Sequence, residues 1–241
     1  MTEFSDITVV DETETCPYLE DQIARMPLRM PLVQITPAQA DLRLAAGHRR
    51  TGEFVYQTQC PTCEACQPIR VIVPEYSFSR NQRRVLARGD RRLLQRIGSL
   101  KSDQQRVNLF NKHRRLRGLS KAEGDIDLEE YVWGFVRSCF ESFEMTYWLD
   151  DRLVALAVCD IGRHSLSAVY TFYDPEVNAV GLGTYSILKQ IQFCQLRNLR
   201  FLYLGFYVEQ SPHMVYKSRF KPHERRIAGN WERFENMQVD E

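Results

Sequence analysis

The stretch that decides the expected fold lies at residues 167–220, where the chain contains SAVYTFYDP, VGLGTYSILKQIQF and RFLYLGFYVEQSPHMVYKSRF. Residues 167–173 are rich in β-branched and aromatic side chains and predict a strand, which stops before Pro175 because proline lacks a backbone donor. Residues 185–196 repeat apolar side chains at helical spacing, and residues 200–204 predict a short strand that ends at Gly205. A strand, a glycine-containing turn, a helix and a second strand therefore follow one another.

The turn between the first strand and the helix has the pattern N-x-x-G-x-G, from Asn178 to Gly183. Gly181 and Gly183 leave bare N–H groups at the positive end of a helix, where phosphate or another anion can bind. Spacing alone does not distinguish such a site from an ordinary loop. The order of strand, loop, helix and strand is, however, the one that the GNAT acyltransferase fold uses to hold its acyl carrier. We therefore predict that both glycines bind substrate.

The rest of the chain predicts the other parts of an α+β fold. We expect flexible residues 1–15, helices at 36–47, 81–97, 103–117 and 125–143, and strands at 49–56, 69–73, 145–149, 152–160 and 165–173. The series predicts a GNAT-like acyltransferase core at residues 101–241. A smaller α/β subdomain with a cysteine cluster is expected to precede it, at residues 1–100.

Composition limits the class of protein. The chain has 241 residues, 44% of them hydrophobic, and a net charge of +1. No apolar run is long enough to span a membrane, and the acidic N-terminus does not have the pattern of a signal peptide. We therefore expect a cytoplasmic protein, in which the seven cysteines serve as thiols, metal ligands or core residues rather than disulfides.

The near-neutral total hides a strongly basic segment. Residues 70–117 hold fourteen basic side chains against three acidic ones, a local charge of +11. Such a segment predicts a polyanionic partner, although a solvated basic helix face is the alternative. The predicted phosphate-binding residues are the arginines that cluster near its start: Arg80, Arg83, Arg84, Arg88, Arg91 and Arg92.

The cysteines at Cys60, Cys63 and Cys66 form a C-x2-C-x2-C pattern, which zinc and iron–sulfur sites share. Cys16, followed by a proline, is the best candidate for a fourth ligand, so these four residues are predicted to converge in space. They would hold zinc or a [4Fe–4S] cluster, and a metal-free group of buried thiols is the alternative. Cys139, Cys159 and Cys194 lie in apolar segments and are predicted to be core.

Aromatic and charged side chains near the two predicted strands supply the candidate site. Aromatic side chains beside basic ones could stack on the unpaired bases of a nucleic acid, although aromatic residues in strands are often core. The candidates are Tyr170, Tyr173, Tyr185, Tyr203 and Tyr207. Lys217 and Arg219 could pair with a substrate carboxylate. We predict Asp174, Glu209, Tyr170 and Tyr185 as catalytic residues, with the two carboxylates helping to deprotonate an attacking amine.

The ordered motifs resemble those of the aminoacyl-tRNA–protein transferases of the arginyltransferase family. They are CPYL from Cys16, GEFVY from Gly52, the cysteine cluster, SRNQRR from Ser79, YTFYDP, GLGTYSILKQI, LYLGFYV and SPHMVYKSRFKPHE. The resemblance covers residues 14–231 and is closest to the bacterial branch that transfers leucine to N-terminal aspartate or glutamate.

This resemblance implies a monomeric enzyme that uses aminoacyl-tRNA and proteins with acidic N-termini, marking them for degradation without a cofactor for the chemistry. Related eukaryotic transferases are reported to hold an iron–sulfur cluster on N-terminal cysteines. This chain departs from their pattern, because Leu19 and Ala65 occupy the presumed partner positions.

Three alternatives stay open at this point. Arginyl transfer would need an acidic pocket, to which Asp174 or Glu209 could contribute. A GNAT acetyltransferase would use acetyl-CoA and would not need the basic segment. A non-catalytic RNA-binding or redox-sensing module would not need the glycine turn and the tyrosines.

Overall fold

The structure is a computed structural model that describes residues 4–119, 124–177 and 179–235. Asn178, which opens the predicted glycine motif, lies outside these ranges. Within them, no helix has both the length and the apolar character needed to cross a membrane.

The described residues alternate short N-terminal strands with helices and then form a long meander. The strands are β1 (Asp6–Val10), β2 (Thr13–Thr15), β3 (Ile23–Arg25), β4 (Leu28–Pro31), β5 (Arg49–Thr51), β6 (Phe54–Tyr56), β7 (Gln67–Ile72), β8 (Leu94–Gly98), β9 (Ser142–Leu149), β10 (Arg152–Ile161), β11 (Ser165–Tyr173), β12 (Phe201–Tyr207), β13 (His223–Ile227) and β14 (Asn230–Phe234). The α-helices are α1 (Pro37–Ala45), α2 (Arg80–Asp90), α3 (Gln104–Leu116), α4 (Leu128–Tyr131) and α5 (Leu182–Leu196).

A mixed eight-stranded sheet organises the molecule, in the order β14-β13-β7-β12-β11-β10-β9-β8. β11 and β12 pair in parallel, whereas the other neighbouring strands of this sheet pair antiparallel. A second sheet has the order β1-β4-β6-β5, and β2 pairs with β3. The prediction of a mixed helix and strand fold is confirmed, and its closer assignment as GNAT-like stays a prediction.

The large sheet is covered on both faces, as the side chains of β10 show. Ala155, Ala157 and Cys159 pack in the cluster that contains α5, whereas Leu156 and Val158 pack in the cluster that contains α3. Alternate residues of a strand point to opposite faces, so β10 is buried on both sides. Cys139, Cys159 and Cys194 are buried, which confirms their predicted place in the core.

Capping side chains explain where two of the helices begin. Thr36 and Gln39 form a capping box at the start of α1, and Ser79 and Gln82 form another at the start of α2. Each box satisfies backbone groups that the first helical turn leaves unpaired.

Several predicted elements differ from the structure. The helix predicted over residues 81–97 ends at Asp90, and residues 94–98 form β8, an edge strand that pairs with β9. The helix predicted to run to residue 143 continues from α4 only through a π-helical turn, Val132–Val136. Residues predicted to be flexible form β1, which pairs with β4. The predicted division at residue 100 stays a prediction, although β7 and β8 lie in one sheet with later strands.

Candidate active site

The candidate site begins where β11 and β12 separate. Their parallel pairing joins residues 165–167 to residues 201–203, although both strands continue beyond it. Buried carbonyl groups that leave a ladder need other partners. Two cations donate to such carbonyls: Arg49 Nη2 lies 3.0 Å from Ala168 O, and Lys217 Nζ lies 2.7 Å from Phe206 O.

Gly205 allows these two cations to approach each other. Its φ is +85°, and a Cβ built there would lie 3.3 Å from Arg49 Nη2 and 3.6 Å from Lys217 Nζ. Arg49 comes from β5 in the small sheet, whereas Lys217 comes from the 3-10 turn Val215–Arg219 that follows β12. The recess over Gly205 therefore brings together a side chain of the small sheet and one from the turn that follows β12, and we call Arg49 and Lys217 the cation pair.

Lys217 is buried and Arg49 is half-buried, and neither forms an ion pair with a carboxylate among the residues that the structure describes. Burial lowers the pKa of Arg49, and the charges of Tyr56 and Asp160 act in the opposite direction. Asp160 forms its own ion pair with Arg50 at 2.8 Å. Burial, and then the charge of Arg49, lowers the pKa of Lys217 to about 7. Buried cations are normally paired, so this recess has an unbalanced positive charge that an anion would neutralise.

Two tyrosines of the N-terminal region belong to the same recess. Burial raises the pKa of both Tyr18 and Tyr56, and the charge of Arg49 acts on each in the opposite direction. The Tyr56 ring contacts Phe206 edge-on, with centroids 6.4 Å apart. Tyr18, Arg49 and Tyr56 are half-buried, so solvent reaches part of each side chain.

A second group of aromatic side chains forms a wall near the end of β11. Burial raises the pKa of Tyr216 to about 12, with further contributions from Tyr173 and Tyr170, although Tyr216 is 38% exposed. A side chain that is closely surrounded and yet open to water belongs to a concave surface. Tyr170 packs against Phe110, with ring centroids 5.7 Å apart, which fixes the wall to the core.

Tyr173 connects this wall to the glycine turn. A Cβ on Gly183 would lie 3.0 Å from the Tyr173 ring, so glycine permits their close contact. Gly181 has a φ of +73° and begins α5 without a side-chain cap. The predicted turn is therefore present, and its free backbone donors lie next to Tyr173.

Helix α2 packs directly against this turn. Arg88 Nη1 donates to Ala179 O at 3.0 Å, and Tyr185 Oη donates to Asp90 Oδ1 at 2.8 Å. A Cβ on Gly89 would lie 2.2 Å from the Tyr185 ring, so glycine is what allows the helices to meet. The structure thus brings the predicted phosphate-binding helix to the predicted anion-binding turn.

The arginines predicted to bind phosphate form an exposed basic face on and after α2. All six are exposed, and none of them forms an ion pair with a described carboxylate: Arg80, Arg83, Arg84, Arg88, Arg91 and Arg92. Arg83 and Arg91 donate to backbone carbonyls of Phe78 and Ala87. Their charges therefore remain available to a polyanion, and we call this group the α2 basic face.

Other predicted residues have different surroundings. Asp174 is buried and contacts Lys112 Nζ at 2.9 Å and Arg152 Nη1 at 3.3 Å. Glu209 and Arg219 are exposed, and Tyr185 is 1% exposed.

Tyr203 and Tyr207 lie in the sheet against arginines. Tyr203 accepts a hydrogen bond from Arg70 at 2.9 Å, and Arg225 lies 4.5 Å from the Tyr207 ring centroid. Both tyrosines are buried, so their contacts are those of packed core residues.

The four cysteines of the predicted metal site are free, half-buried and close to one another. Burial raises the pKa of Cys66 to about 12, with contributions from Cys16, Cys60 and Cys63 in that order. Four thiols suit zinc or a [4Fe–4S] cluster. Their arrangement does not form a closed ligand set, because no group of three or more potential ligands within the described ranges is placed to hold a metal. No chemical step is therefore assigned to a metal.

Sequence reasoning missed Arg49, Tyr18 and Tyr56 as parts of the site. Arg49 lies 118 residues from Ser167, to which its Nη1 donates at 3.1 Å. No local pattern records such a contact. Only the three-dimensional arrangement shows that Arg49 and Lys217 lie together and form no ion pair with a described carboxylate, so the sequence offered no signal for this part of the site.

Comparisons with known proteins identify the family. The family model for "Arginine-tRNA-protein transferase, N terminus" matches residues 14–84, and that for the C terminus matches residues 105–227. The chain is 34% identical to the aspartate/glutamate leucyltransferase of Acinetobacter baumannii, over 90% of this chain and 80% of that protein. It is also 34% identical to the protein of that name from Methylobacillus flagellatus (90% and 87% coverage) and 31% identical to that from Vibrio vulnificus (92% and 94%).

Solved structures overlap more weakly. L-PGS from Bacillus licheniformis has a TM-score of 0.47 at 12% identity, covering 61% of this chain and 48% of that one. FemX has a TM-score of 0.45 at 7% identity, covering 76% and 63%. The family assignment rests on the sequence matches, which cover both halves of the chain: this protein is a transferase that belongs to the arginine-tRNA-protein transferase family.

Proposed function

We propose that this enzyme transfers leucine from leucyl-tRNA to the N-terminal amine of proteins that begin with aspartate or glutamate. The names of its relatives support this choice of donor and acceptor. The observation that carries the proposal is the packing of α2 on the glycine turn. This packing supports the proposal, because the exposed arginines of α2 would bind RNA phosphates beside the space next to Tyr170, Tyr173 and the glycine turn. We call this space the cleft, and the aminoacyl ester would arrive there.

In the proposed reaction the α-amine of the acceptor attacks the ester carbonyl carbon of leucyl-tRNA. An amide C–N bond forms, the ester C–O bond breaks, and one proton passes from the nitrogen to the departing ribose oxygen. The ester is already activated, so the step needs no ATP. An α-amine has a pKa of about 8, so part of it is already neutral at pH 7 and only modest assistance from a base is needed. Positioning and stabilisation of the oxyanion supply the rest.

The cleft offers groups for these roles. We assign Tyr170 and Tyr173 to the walls that hold the ester, with the backbone donors of Gly181 and Gly183 facing an oxygen anion. Asp174 ends β11 beside them and remains our candidate for receiving the proton. Its carboxylate also contacts Lys112 and Arg152, so the attacking amine would share it with these two cations.

The remaining predicted residues take supporting roles in this proposal. Tyr185, with its hydroxyl on Asp90, positions α2 against α5. Tyr203 and Tyr207 hold the sheet beneath the cleft. Glu209 and Arg219 stay candidates for contacting the acceptor from its exposed side. The α2 basic face binds tRNA phosphates in a salt-dependent manner. We also propose a cytoplasmic monomer. Its four cysteines, which do not form a closed ligand set among the described residues, would have to rearrange to hold zinc or a [4Fe–4S] cluster, and such a group would take no part in the chemistry.

A transfer assay tests the function. Purified protein is mixed with leucyl-tRNA, arginyl-tRNA and other charged tRNAs in competition, together with peptides that differ only at the first residue. We expect leucyl transfer to peptides that begin with Asp or Glu. Arginyl product without leucyl product would replace the donor. Acetylation from acetyl-CoA without tRNA dependence would replace the whole proposal, and RNA binding without any transfer would indicate a non-catalytic module.

A further inference from the structure

The cation pair has no carboxylate partner within the described residues, and its surroundings suit a small anion. Arg49 uses Nη1 on Ser167 Oγ and Nη2 on Ala168 O, and Lys217 uses Nζ on Phe206 O and Met214 Sδ. An ammonium has three donors and a guanidinium five, so each cation retains donor capacity after these contacts. The two charged groups meet over Gly205, where a side chain would intrude.

We propose that Arg49 and Lys217 bind the side-chain carboxylate of the acceptor's first residue and so select aspartate or glutamate. This inference rests on the proposed function, because it assigns specificity within the same site. It replaces the combination of Lys217 with Arg219 that the sequence alone favours. Arg219 is exposed, whereas Arg49 from β5 and Lys217 from the turn after β12 converge on one point.

Burial explains why this pair would discriminate strongly. An exposed cation contributes little to recognition, because water and salt screen it. Lys217 is only 7% exposed, and Arg49 is half-buried. A carboxylate entering here would form ion pairs with two cations that have no carboxylate partner among the described residues. A neutral side chain would leave them unpaired and would lose its own hydration.

A carboxylate fits this recess better than an RNA phosphate does. The α2 basic face already offers exposed arginines to phosphates, beside the glycine turn. The cation pair instead lies at the base of the separated strands, flanked by tyrosine rings and Met214. A side chain that extends from a peptide N-terminus can reach such a narrow place while its α-amine stays in the cleft.

The test compares two peptides that differ only in their first residue, Asp or Asn, because these side chains have nearly the same shape and differ in charge. Binding of fluorescently labelled peptides is measured by anisotropy without tRNA, and leucyl transfer is measured separately as kcat/KM. The variants are Lys217→Met, which keeps chain length, and Arg49→Gln, which keeps an amide donor for Ala168 O. Arg163→Gln makes the same change at an exposed arginine and is the control.

We expect wild type to prefer the Asp peptide, and each variant to weaken its binding roughly 30-fold or more, the low end for removing one partner of a buried charge pair. Binding of the Asn peptide should change little, and the control should retain the wild-type preference. Thermal unfolding checks that each variant folds. If Lys217→Met does not fold, Arg49→Gln alone provides the test.

Three results would overturn the inference: wild type that does not distinguish the peptides, variants that retain the preference, or an equal loss for both peptides. Weakened binding of leucyl-tRNA with an intact Asp preference would reassign the pair to phosphate. The two proposals fail separately. Absence of leucyl transfer by wild type would refute the proposed function, while the peptide-binding comparison would still test the cation pair.

Discussion

The α2 basic face and the cation pair are both positively charged, yet their environments differ in every other respect. The first consists of exposed arginines on one helix, which form no ion pair with a described carboxylate. The second consists of one cation from β5 and one from the turn after β12, which meet over Gly205. Charge alone therefore does not distinguish the two regions, whereas burial and geometry do.

This difference suggests two kinds of recognition. Exposed arginines attract a polyanion over a distance, release its counterions and depend strongly on salt. Buried cations bind one small anion, are less screened, and discriminate because an unpaired charge is costly. An enzyme that joins a tRNA-borne amino acid to one class of protein N-terminus needs both kinds.

The largest effect that separates the two regions is expected from reversing charge on α2. Arg83→Glu with Arg84→Glu should lower leucyl-tRNA affinity about 100-fold at low salt and reduce the salt slope by up to about two units. The measurement is tRNA binding at several salt concentrations. The preference for an Asp over an Asn peptide should persist. Unchanged tRNA affinity and salt slope would remove α2 as the RNA surface.

Adding a side chain at Gly205 should disturb the cation pair. Gly205→Ala places a Cβ 3.3 Å from Arg49 Nη2 at a φ of +85°, which non-glycine residues disfavour. We expect a loss of unfolding free energy of about 1–3 kcal/mol and about a tenfold weaker Asp preference. Gly98→Ala is the matched control, since a Cβ there meets nothing within 4 Å. Equal behaviour of the two variants would show that Gly205 does not shape the recess.

The pH dependence should separate the regions by a smaller factor. The pKa of Lys217 is lowered to about 7, mainly by burial and then by Arg49, while the nearby Cys66 acts to raise it. Its charged form binds a carboxylate, so affinity for the Asp peptide should be steady below about pH 6 and begin to fall as pH 7 is approached. From pH 7 to 8 it should fall by about a further fivefold.

The Asn peptide serves as the control, because it has the same α-amine. Arginines do not titrate in this range, and tRNA binding should change little between pH 6 and 8. Carboxylate binding raises the pKa of its cation, so the transition should shift to higher pH in the complex. An Asp preference that grows between pH 7 and 8 would contradict the assignment.

The smallest effect is expected at Arg219. Arg219→Gln should change the ratio of Asp to Asn binding by less than about twofold, because an exposed cation interacts weakly. The measurement is the same anisotropy comparison. A loss of preference as large as that in Lys217→Met would restore the pairing that the sequence alone suggests.

Local patterns in the sequence predicted much of the fold. The bounds of β11 match the predicted strand, and α1 begins after Thr36 because its capping box satisfies the first turn. The hairpin of β9 and β10 follows from residues near in sequence. The prediction was wrong where an element depends on a distant partner. Residues 94–98 were predicted to be helical, and they form a strand because they pair with β9.

The site divides in the same way. The glycine turn and the α2 arginines have local signatures, and the structure places them together. Arg49, the partner of Lys217 in the recess, has no local signature in the sequence, because it comes from β5, far from Lys217 along the chain. Asp174 looked like a free carboxylate in the sequence, yet Lys112 approaches it from α3, more than sixty residues away in the chain.

The most direct test of the account measures two quantities in the same two variants: leucyl-tRNA affinity, and the ratio of Asp to Asn peptide binding. We expect Arg83→Glu with Arg84→Glu to lower leucyl-tRNA affinity and to leave the peptide ratio unchanged. We expect Arg49→Gln to lower the peptide ratio and to leave leucyl-tRNA affinity unchanged. If both variants reduce the same quantity, or if Arg49→Gln weakens tRNA binding while the peptide ratio stays at its wild-type value, the proposed division between phosphate and carboxylate recognition is wrong.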